Sequence, residues 1–321
     1  MLTDVKGILV GHAQDNEAGN GCTVVLCKDG AVAGVDVRGG APGTRETDLL
    51  EPENMIQKVH AIYLGGGSAF GLDGVSGVMR FLEENNVGFD VGVTKVPIVP
   101  AAVIFDLNVG DFKRRPDLKM GYEACINATD VNPASGNVGA GTGATVGKYL
   151  GDEFSMKGGL GTHSIKVGDL VVAGLVVANC LGDVVDPVTG DILAGALNET
   201  KTGFVNTMDL IKKDLALNNA FAGNTTIGVV ATNARLSKAQ AKKVASMAHN
   251  GYARAIRPVH TLFDGDTVFC ISLGEVNVDV SIVGALAAEV IACAIVNAVK
   301  SAEPLYGRMS YKSFVSSKHN I

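Results

Sequence analysis

Ala222-Gly223-Asn224-Thr225-Thr226-Ile227-Gly228-Val229-Val230-Ala231-Thr232-Asn233 is a glycine-asparagine turn running into a β-branched stretch. Gly and Asn suit a tight reversal, and Ile-Gly-Val-Val-Ala suits a strand. One reading of the segment is purely structural. The other is chemical, because Thr225 sits where its hydroxyl can attack the carbonyl before it. A threonine hydroxyl is a weak nucleophile until a base takes its proton, and a free α-amine on the same residue is such a base. With an unperturbed pKa of roughly 7.7–8.0, that amine is substantially neutral near physiological pH. Cleavage between Asn224 and Thr225 would create it. Asn224-Thr225-Thr226 also fits a glycosylation sequon, which has no meaning without a secretory route.

Outward from this segment, similar β-branched runs recur at Thr23 to Leu26, Ala31 to Val37, Asp169 to Ala178 and Thr267 to Leu273. Several are apolar on both faces, which predicts strands in sheets covered on both sides. Ser68 to Asn85, Ser237 to His249 and Ser281 to Val299 predict helices, the second opening on an N-cap serine and stopping at Asn250-Gly251. Sheets buried beneath helices follow, in a layered α and β architecture. No internal repeat or low-complexity linker divides the 321 residues, so a single domain over 1–321 is expected.

Hydrophobic residues make up 47% and charged residues 19%, a balance that excludes disorder as the main state. The 41 glycines lack collagen spacing and point to tight turns and close backbone approaches. A net charge of -6 argues against affinity drawn from nucleic-acid phosphates or anionic lipid. The basic cluster Lys113-Arg114-Arg115 lies between Asp111 and Asp117 and reads as a solvated loop face. Val280 to Val299 approaches membrane length, but Glu289 in its middle suits a helix packed inside a protein. With Asp4 near the start and no long apolar run there, no signal peptide is read, and a cytoplasmic location is expected.

Six scattered cysteines contain no C-x-x-C pair, so reduced, mostly buried thiols are expected rather than a disulfide framework. The histidines at 12, 60, 163, 249, 260 and 319 show no metal-ligand spacing, and no metal site or cofactor is expected. Gly139-Ala140-Gly141-Thr142-Gly143-Ala144 satisfies a loose dinucleotide pattern but follows a turn-rich stretch rather than a strand. Gly147-Lys148 fails as a phosphate loop, since Thr142 replaces the first glycine and Tyr149 the magnesium-binding hydroxyl. Gly66-Gly67-Ser68-Ala69-Phe70 misses the nucleophile elbow at Phe70, and Ser68 reads as a helix cap.

Four segments together carry a resemblance. They are the one quoted first, Asp36-Val37-Arg38-Gly39-Gly40-Ala41-Pro42-Gly43, Tyr63-Leu64-Gly65-Gly66-Gly67-Ser68-Ala69-Phe70-Gly71, and His260-Thr261-Leu262-Phe263-Asp264-Gly265-Asp266-Thr267. Over nearly the whole chain the sequence resembles the DmpA family of L-aminopeptidase/D-esterases, β-aminopeptidases and nylon-oligomer hydrolases. The resemblance implies a four-layer αββα sandwich of the N-terminal nucleophile hydrolase type, also the fold of ornithine acetyltransferases. It further implies self-cleavage into a large chain, 1–224, and a small chain, 225–321, which stay together in a homo-oligomer, commonly a tetramer.

By the same resemblance, Thr225 corresponds to the nucleophile, Asn224 to the end of the large chain, Asn179 to an oxyanion-stabilising asparagine, and Lys148 to a lysine near the nucleophile. Asp264 and Asp266 match paired acids of the nylon-oligomer branch, where aminopeptidases have Ser-x-Glu. Phe105 stands where several active members have a tyrosine, so the hydrogen bonds around the substrate carbonyl differ here. On physical grounds an amide such as Asn179 can donate to a developing oxyanion, and a lysine can stabilise anionic intermediates. The structural alternatives are a turn at Asn179, a solvated Lys148 and a β-turn at Asp264-Gly265-Asp266. The expected function is a self-processing amide hydrolase acting on small peptides or peptide-like oligomers. An acyltransferase of the ornithine acetyltransferase type and an unprocessed binding or scaffold protein are the alternatives.

Overall fold

The computed structural model describes residues 1–213 and 223–318, so Ala222 of the first segment and His319 lie outside the described residues. Two sheets are built around one long strand. Strand β1 (Leu9–Asp15) pairs antiparallel with the first half of β2 (Asn20–Val37), whose other edge takes β3 (Val59–Gly65). Strand β4 (Ala101–Val103) runs parallel to β3, and the short Thr44–Arg45 segment closes the edge. The second half of β2 passes into the other sheet, where it pairs with β8 (Thr267–Val276). That sheet continues through β7 (Ile227–Ala234) and β6 (Leu170–Ala178) to β5 (Gly159–Val167). The two runs expected at Thr23 to Leu26 and Ala31 to Val37 are therefore one strand. Its register breaks between Leu26 and Ala31, where Lys28 and Asp29 are exposed and Gly30 adopts φ +78°.

Alternation along each strand sorts its side chains between two cores. Ile227, Val229 and Ala231 of β7 face the inter-sheet core with Leu175, Val177, Phe269, Ile62 and Leu64. Val230 and Ala234 face the other way, into a core with Val172, Val176 and Val268 of the same sheet. That outer core is closed by α3 (Lys238–Ala255) and α4 (Val280–Ser301), which contribute Val244, Ala248, Ile291 and Ala294. On the opposite side, α1 (Gly74–Glu84) and α2 (Leu118–Ile126) cover Val24, Ala61 and Tyr63 with Val75, Val78, Leu82 and Ala124. The layers run helix, sheet, sheet, helix, the αββα order expected. Each buried Val, Leu or Ile contributes about 1.5–3 kcal/mol of transfer free energy, so three contiguous cores need no aromatic-rich interior.

Helix α3 overrides the stop expected at Asn250-Gly251 and runs on to Ala255. Gly251 faces Ala288 of α4 so closely that a Cβ there would lie 2.4 Å from the Ala288 carbonyl oxygen. The glycine serves helix packing rather than termination. Ser237 does cap α3, accepting from the Gln240 N–H in a capping box. Ser68 does not cap a helix: it opens a 3-10 turn, Ser68–Asp73, at φ +53°, makes no side-chain capping bond, and leads into α1. Helix α4 is long and apolar enough to span a membrane, with Val283, Ala287, Ile291 and Ala294 buried and Glu289 exposed. A stripe packed in a protein core accounts for that composition.

Candidate active site

Register gathers the site. Val177 of β6 pairs with Ile227 of β7, Ile227 with Thr267 of β8, and Thr267 with Val37 of β2. This row marks one end of the sheet, and every singled-out residue adjoining it projects just beyond: Asn179 after β6, Thr225 before β7, Asp264 and Asp266 before β8, and Arg38 to Ala41 after β2. Four segments distant in sequence meet because four strands stop at one level.

Thr225 is buried, its N–H donates to the Asn179 carbonyl oxygen at 2.9 Å, and its Oγ1 donates to the carbonyl oxygen of Asn224. Nucleophile and target carbonyl are thus adjacent across the Asn224–Thr225 bond. Lys148 is also buried, so its solvated alternative falls away. Its Nζ donates to the Asn179 carbonyl oxygen at 3.1 Å, to Asn179 Oδ1 at 3.0 Å and to the Gly223 carbonyl oxygen at 3.2 Å. Three acceptors match the three protons of an ammonium. Burial pulls its pKa down to about 8, against the opposing pull of nearby acidic groups, among them Asp152 and Asp264.

Asn179 is a hub. Its Oδ1 accepts from Lys148 and from the Thr145 N–H at 3.0 Å, and its Nδ2 donates to the Phe105 carbonyl oxygen at 3.0 Å. Phe105 lacks a hydroxyl but enters the site through its backbone, and its ring packs so close to Gly223 that a Cβ there would overlap it.

The two aspartates hold backbone. Asp266 Oδ1 accepts from the Thr226 N–H at 2.7 Å, fixing the residue after the nucleophile, and its Oδ2 accepts from the His260 N–H. His260 Nδ1 lies 2.8 Å from that same oxygen. Asp264 Oδ2 accepts from the N–H and hydroxyl of Thr261 at 2.8 and 2.7 Å. Burial, then the Asp266 charge, pushes Asp264 up to about 6.

A cavity of about 270 Å³ opens onto Thr225, walled by Ala41, Pro42, Val103, Phe105, Leu262 and Phe263, with Ser68 and Asn224 also at its edge. Among the described residues, no three His, Cys, Asp or Glu side chains are grouped to hold a metal ion.

Sequence reasoning missed several groups beside this site. Lys157 is fully buried, and its Nζ donates to the Gly141 and Ala144 carbonyls at 3.1 and 2.6 Å, bracing the loop that leads to Thr145 and Lys148. Asp106 accepts from the Gly67 N–H at 2.6 Å, tying the glycine turn to the segment that carries Phe105. Burial raises Asp106 to about 6 and lowers Lys157 to about 7. The only sequence signal for either is a charged residue among small and apolar neighbours.

The model of peptidase family S58 matches residues 1–313. The chain belongs to peptidase family S58. An uncharacterized aminopeptidase of Mycobacterium tuberculosis (strain ATCC 25618 / H37Rv) is 44% identical, over 97% of this chain and 96% of its own. A 6-aminohexanoate-oligomer endohydrolase of Kocuria sp. (strain KY2) is 31% identical, over 92% of this chain and 85% of its own.

Among solved structures, the L-aminopeptidase D-Ala-esterase/amidase of Ochrobactrum anthropi superposes with a TM-score of 0.74 at 18% identity, over 99% of this chain and 93% of that one. A Burkholderia sp. β-aminopeptidase gives 0.71 at 20% identity, over 100% and 93%. At those identities the likeness is one of fold, described for the Ochrobactrum enzyme as a variant of the N-terminal nucleophile hydrolase fold. This S58 member is accordingly a hydrolase, with a fold like that of the Ochrobactrum enzyme.

Proposed function

We propose that the chain cuts itself between Asn224 and Thr225 and then hydrolyses amide bonds of small peptides or peptide-like oligomers with Thr225 as nucleophile. The observation that carries this reading is the Thr225 hydroxyl, buried and hydrogen-bonded to the carbonyl oxygen of the residue before it. In self-cleavage Oγ1 attacks the Asn224 carbonyl carbon, the hydroxyl proton ends on the departing nitrogen, and an ester replaces the amide. The break of that C–N bond frees the Thr225 amine, and water then opens the ester to release the Asn224 carboxylate and restore the Thr225 hydroxyl. That amine is the base for turnover, taking the hydroxyl proton as Oγ1 attacks a substrate amide in the cavity.

The hydrogen bonds give the remaining residues their parts. Lys148 and Asn179 hold the loop that accepts the Thr225 N–H, while Asp266 fixes Thr226 from the other side. The apolar walls suit the uncharged stem of an acyl group. The two chains are expected to remain interleaved in one domain, because β7 and β8 from the small chain lie between β6 and β2 of the large chain, and separation would break the pairing at both edges. Assembly of such protomers into a homo-oligomer belongs to the same proposal. Following the self-cleavage of Thr225→Ala and Thr225→Ser beside the parent tests the reading: alanine is expected to stay whole and inactive, serine to retain part of both activities.

A further inference from the structure

We infer that the backbone N–H of Gly265 is the oxyanion donor for self-cleavage. This rests on the self-cleavage reading and adds the group that holds the developing charge. The Gly265 N–H donates to the Asn224 carbonyl oxygen at 2.9 Å, the oxygen that becomes an alkoxide as Thr225 Oγ1 bonds to its carbon. A donor already aimed at that oxygen needs no reorganisation as charge appears.

Its position is over-determined. Asn224 and Asp264 are paired as a parallel bridge, and the Ala41 N–H donates to the Asp264 carbonyl at 2.8 Å. The Thr267 hydroxyl donates to the Gly265 carbonyl at 3.0 Å, and the Arg38 N–H donates to the Asp266 carbonyl at 3.0 Å. The neighbouring donors point elsewhere: Asn179 Nδ2 to the Phe105 carbonyl and Lys148 Nζ to the carbonyl of Gly223, one residue before the target. The glycine is required for space rather than for a left-handed backbone. A Cβ at 265 would stand 2.7 Å from Thr225 Oγ1 and 2.9 Å from the Ala41 carbonyl oxygen, displacing the nucleophile it must adjoin.

In the balanced step, Oγ1–C forms, the carbonyl π pair moves onto the oxygen facing Gly265, and the hydroxyl proton is transferred to nitrogen. Return of that pair then breaks the C–N bond, leaving the ester and the Thr225 amine. The donor thus acts twice, when the tetrahedral species forms and again when water attacks the ester.

Replacing Gly265 by glycolic acid exchanges this N–H for an oxygen and leaves the side-chain space unchanged. We expect the 225–321 fragment to appear about 10²–10³-fold more slowly, the usual loss for one oxyanion donor. Replacing Ala41 by lactic acid is the control, since it removes a hydrogen bond bracing the same loop without touching the carbonyl, and its rate should stay within a few-fold of the parent. Gly265→Ala, made by ordinary expression, should cut at least tenfold more slowly while retaining the parent's circular dichroism. Cleavage of the glycolic acid variant at the parental rate, or equal slowing by both esters, would overturn the donor and leave self-cleavage standing. A parent chain that never cleaves would overturn the self-cleavage reading and this donor with it.

Discussion

Lys148 donates to both oxygens of Asn179, the backbone carbonyl at 3.1 Å and Oδ1 at 3.0 Å, so one ammonium clamps the residue that receives the Thr225 N–H. Truncating Asn179 removes the side-chain half of that clamp together with the links to Thr145 and Phe105. Asn179→Ala is expected to lower turnover of already cleaved enzyme by about 10²–10³-fold, within the range for a lost transition-state donor and its support. Single-turnover acylation of processed protein checks this, and an unchanged rate would return Asn179 to a turn-forming role.

Asp266→Asn should impair self-cleavage more than Asp117→Asn. Asp266 accepts from the Thr226 N–H with one oxygen and from the His260 N–H with the other, and an amide turns one of those oxygens into a donor. Asp117 is exposed and caps α2 through the Met120 N–H, a role asparagine fills equally well. Time courses of cleavage for the two variants make the comparison. Equal rates would reduce the Asp264-Gly265-Asp266 segment to a turn.

The strands bounding the site were legible in the sequence because both faces of β6, β7 and β8 are buried, which leaves continuous apolar runs. Strand β5 was not, because Gly159 and Gly161 dilute its pattern, and in β3 His60 interrupts the apolar run. Gly161 in β5 is there to let α4 ride on the strand, where a Cβ would come within 2.3 Å of the Ala294 carbonyl. Thr225, Asn179, Lys148, Asp264 and Asp266 were reachable through residue type and resemblance, and the structure brings all five to one sheet end. The Gly265 N–H and the Phe105 carbonyl were not reachable, since every residue offers such groups and only the fold aims them. Buried Lys157 and Asp106 escaped because a charge among small residues reads as a loop until its acceptors are placed.

The pH dependence follows from two buried groups. Asp264 is raised from 3.8 to about 6, so the fold favours its protonated form; the associated stability is full below about pH 4 and is lost as pH rises through 6. Asp264→Asn should flatten the stability curve between those limits while slowing cleavage and erasing an acidic limb of the rate near pH 6. Lys148 is lowered from 10.5 to about 8, so its contribution is full above 10.5 and lost as pH falls through 8. Its loss of a proton above 8 removes one of three clamping bonds, and cleavage should slow there. Chemical denaturation and cleavage rates across pH 4–10 test both signs. A parent whose stability does not fall between pH 4 and 6, or an acidic limb unmoved in Asp264→Asn, would contradict the assignment to Asp264.

Water should be the productive acceptor of the acyl-enzyme. The expected result is amine release from small amino-acyl amides or peptide-like oligomers in plain buffer, with ornithine giving no large acceleration. Product formation with and without ornithine, using N-acetylornithine as a competing donor, separates the chemistries. Strict dependence on an amine acceptor would place the chain with the acyltransferases, whereas weak partition to added amines would not, because a good nucleophile intercepts any long-lived acyl-enzyme.

The central claim is the bond that breaks. Mass spectrometry of the purified parent under denaturing conditions, after incubation at neutral pH, should show two species with the masses of residues 1–224 and 225–321, the smaller beginning at Thr225. A single species at the full 321-residue mass after prolonged incubation, or a cut at any other bond, would contradict it.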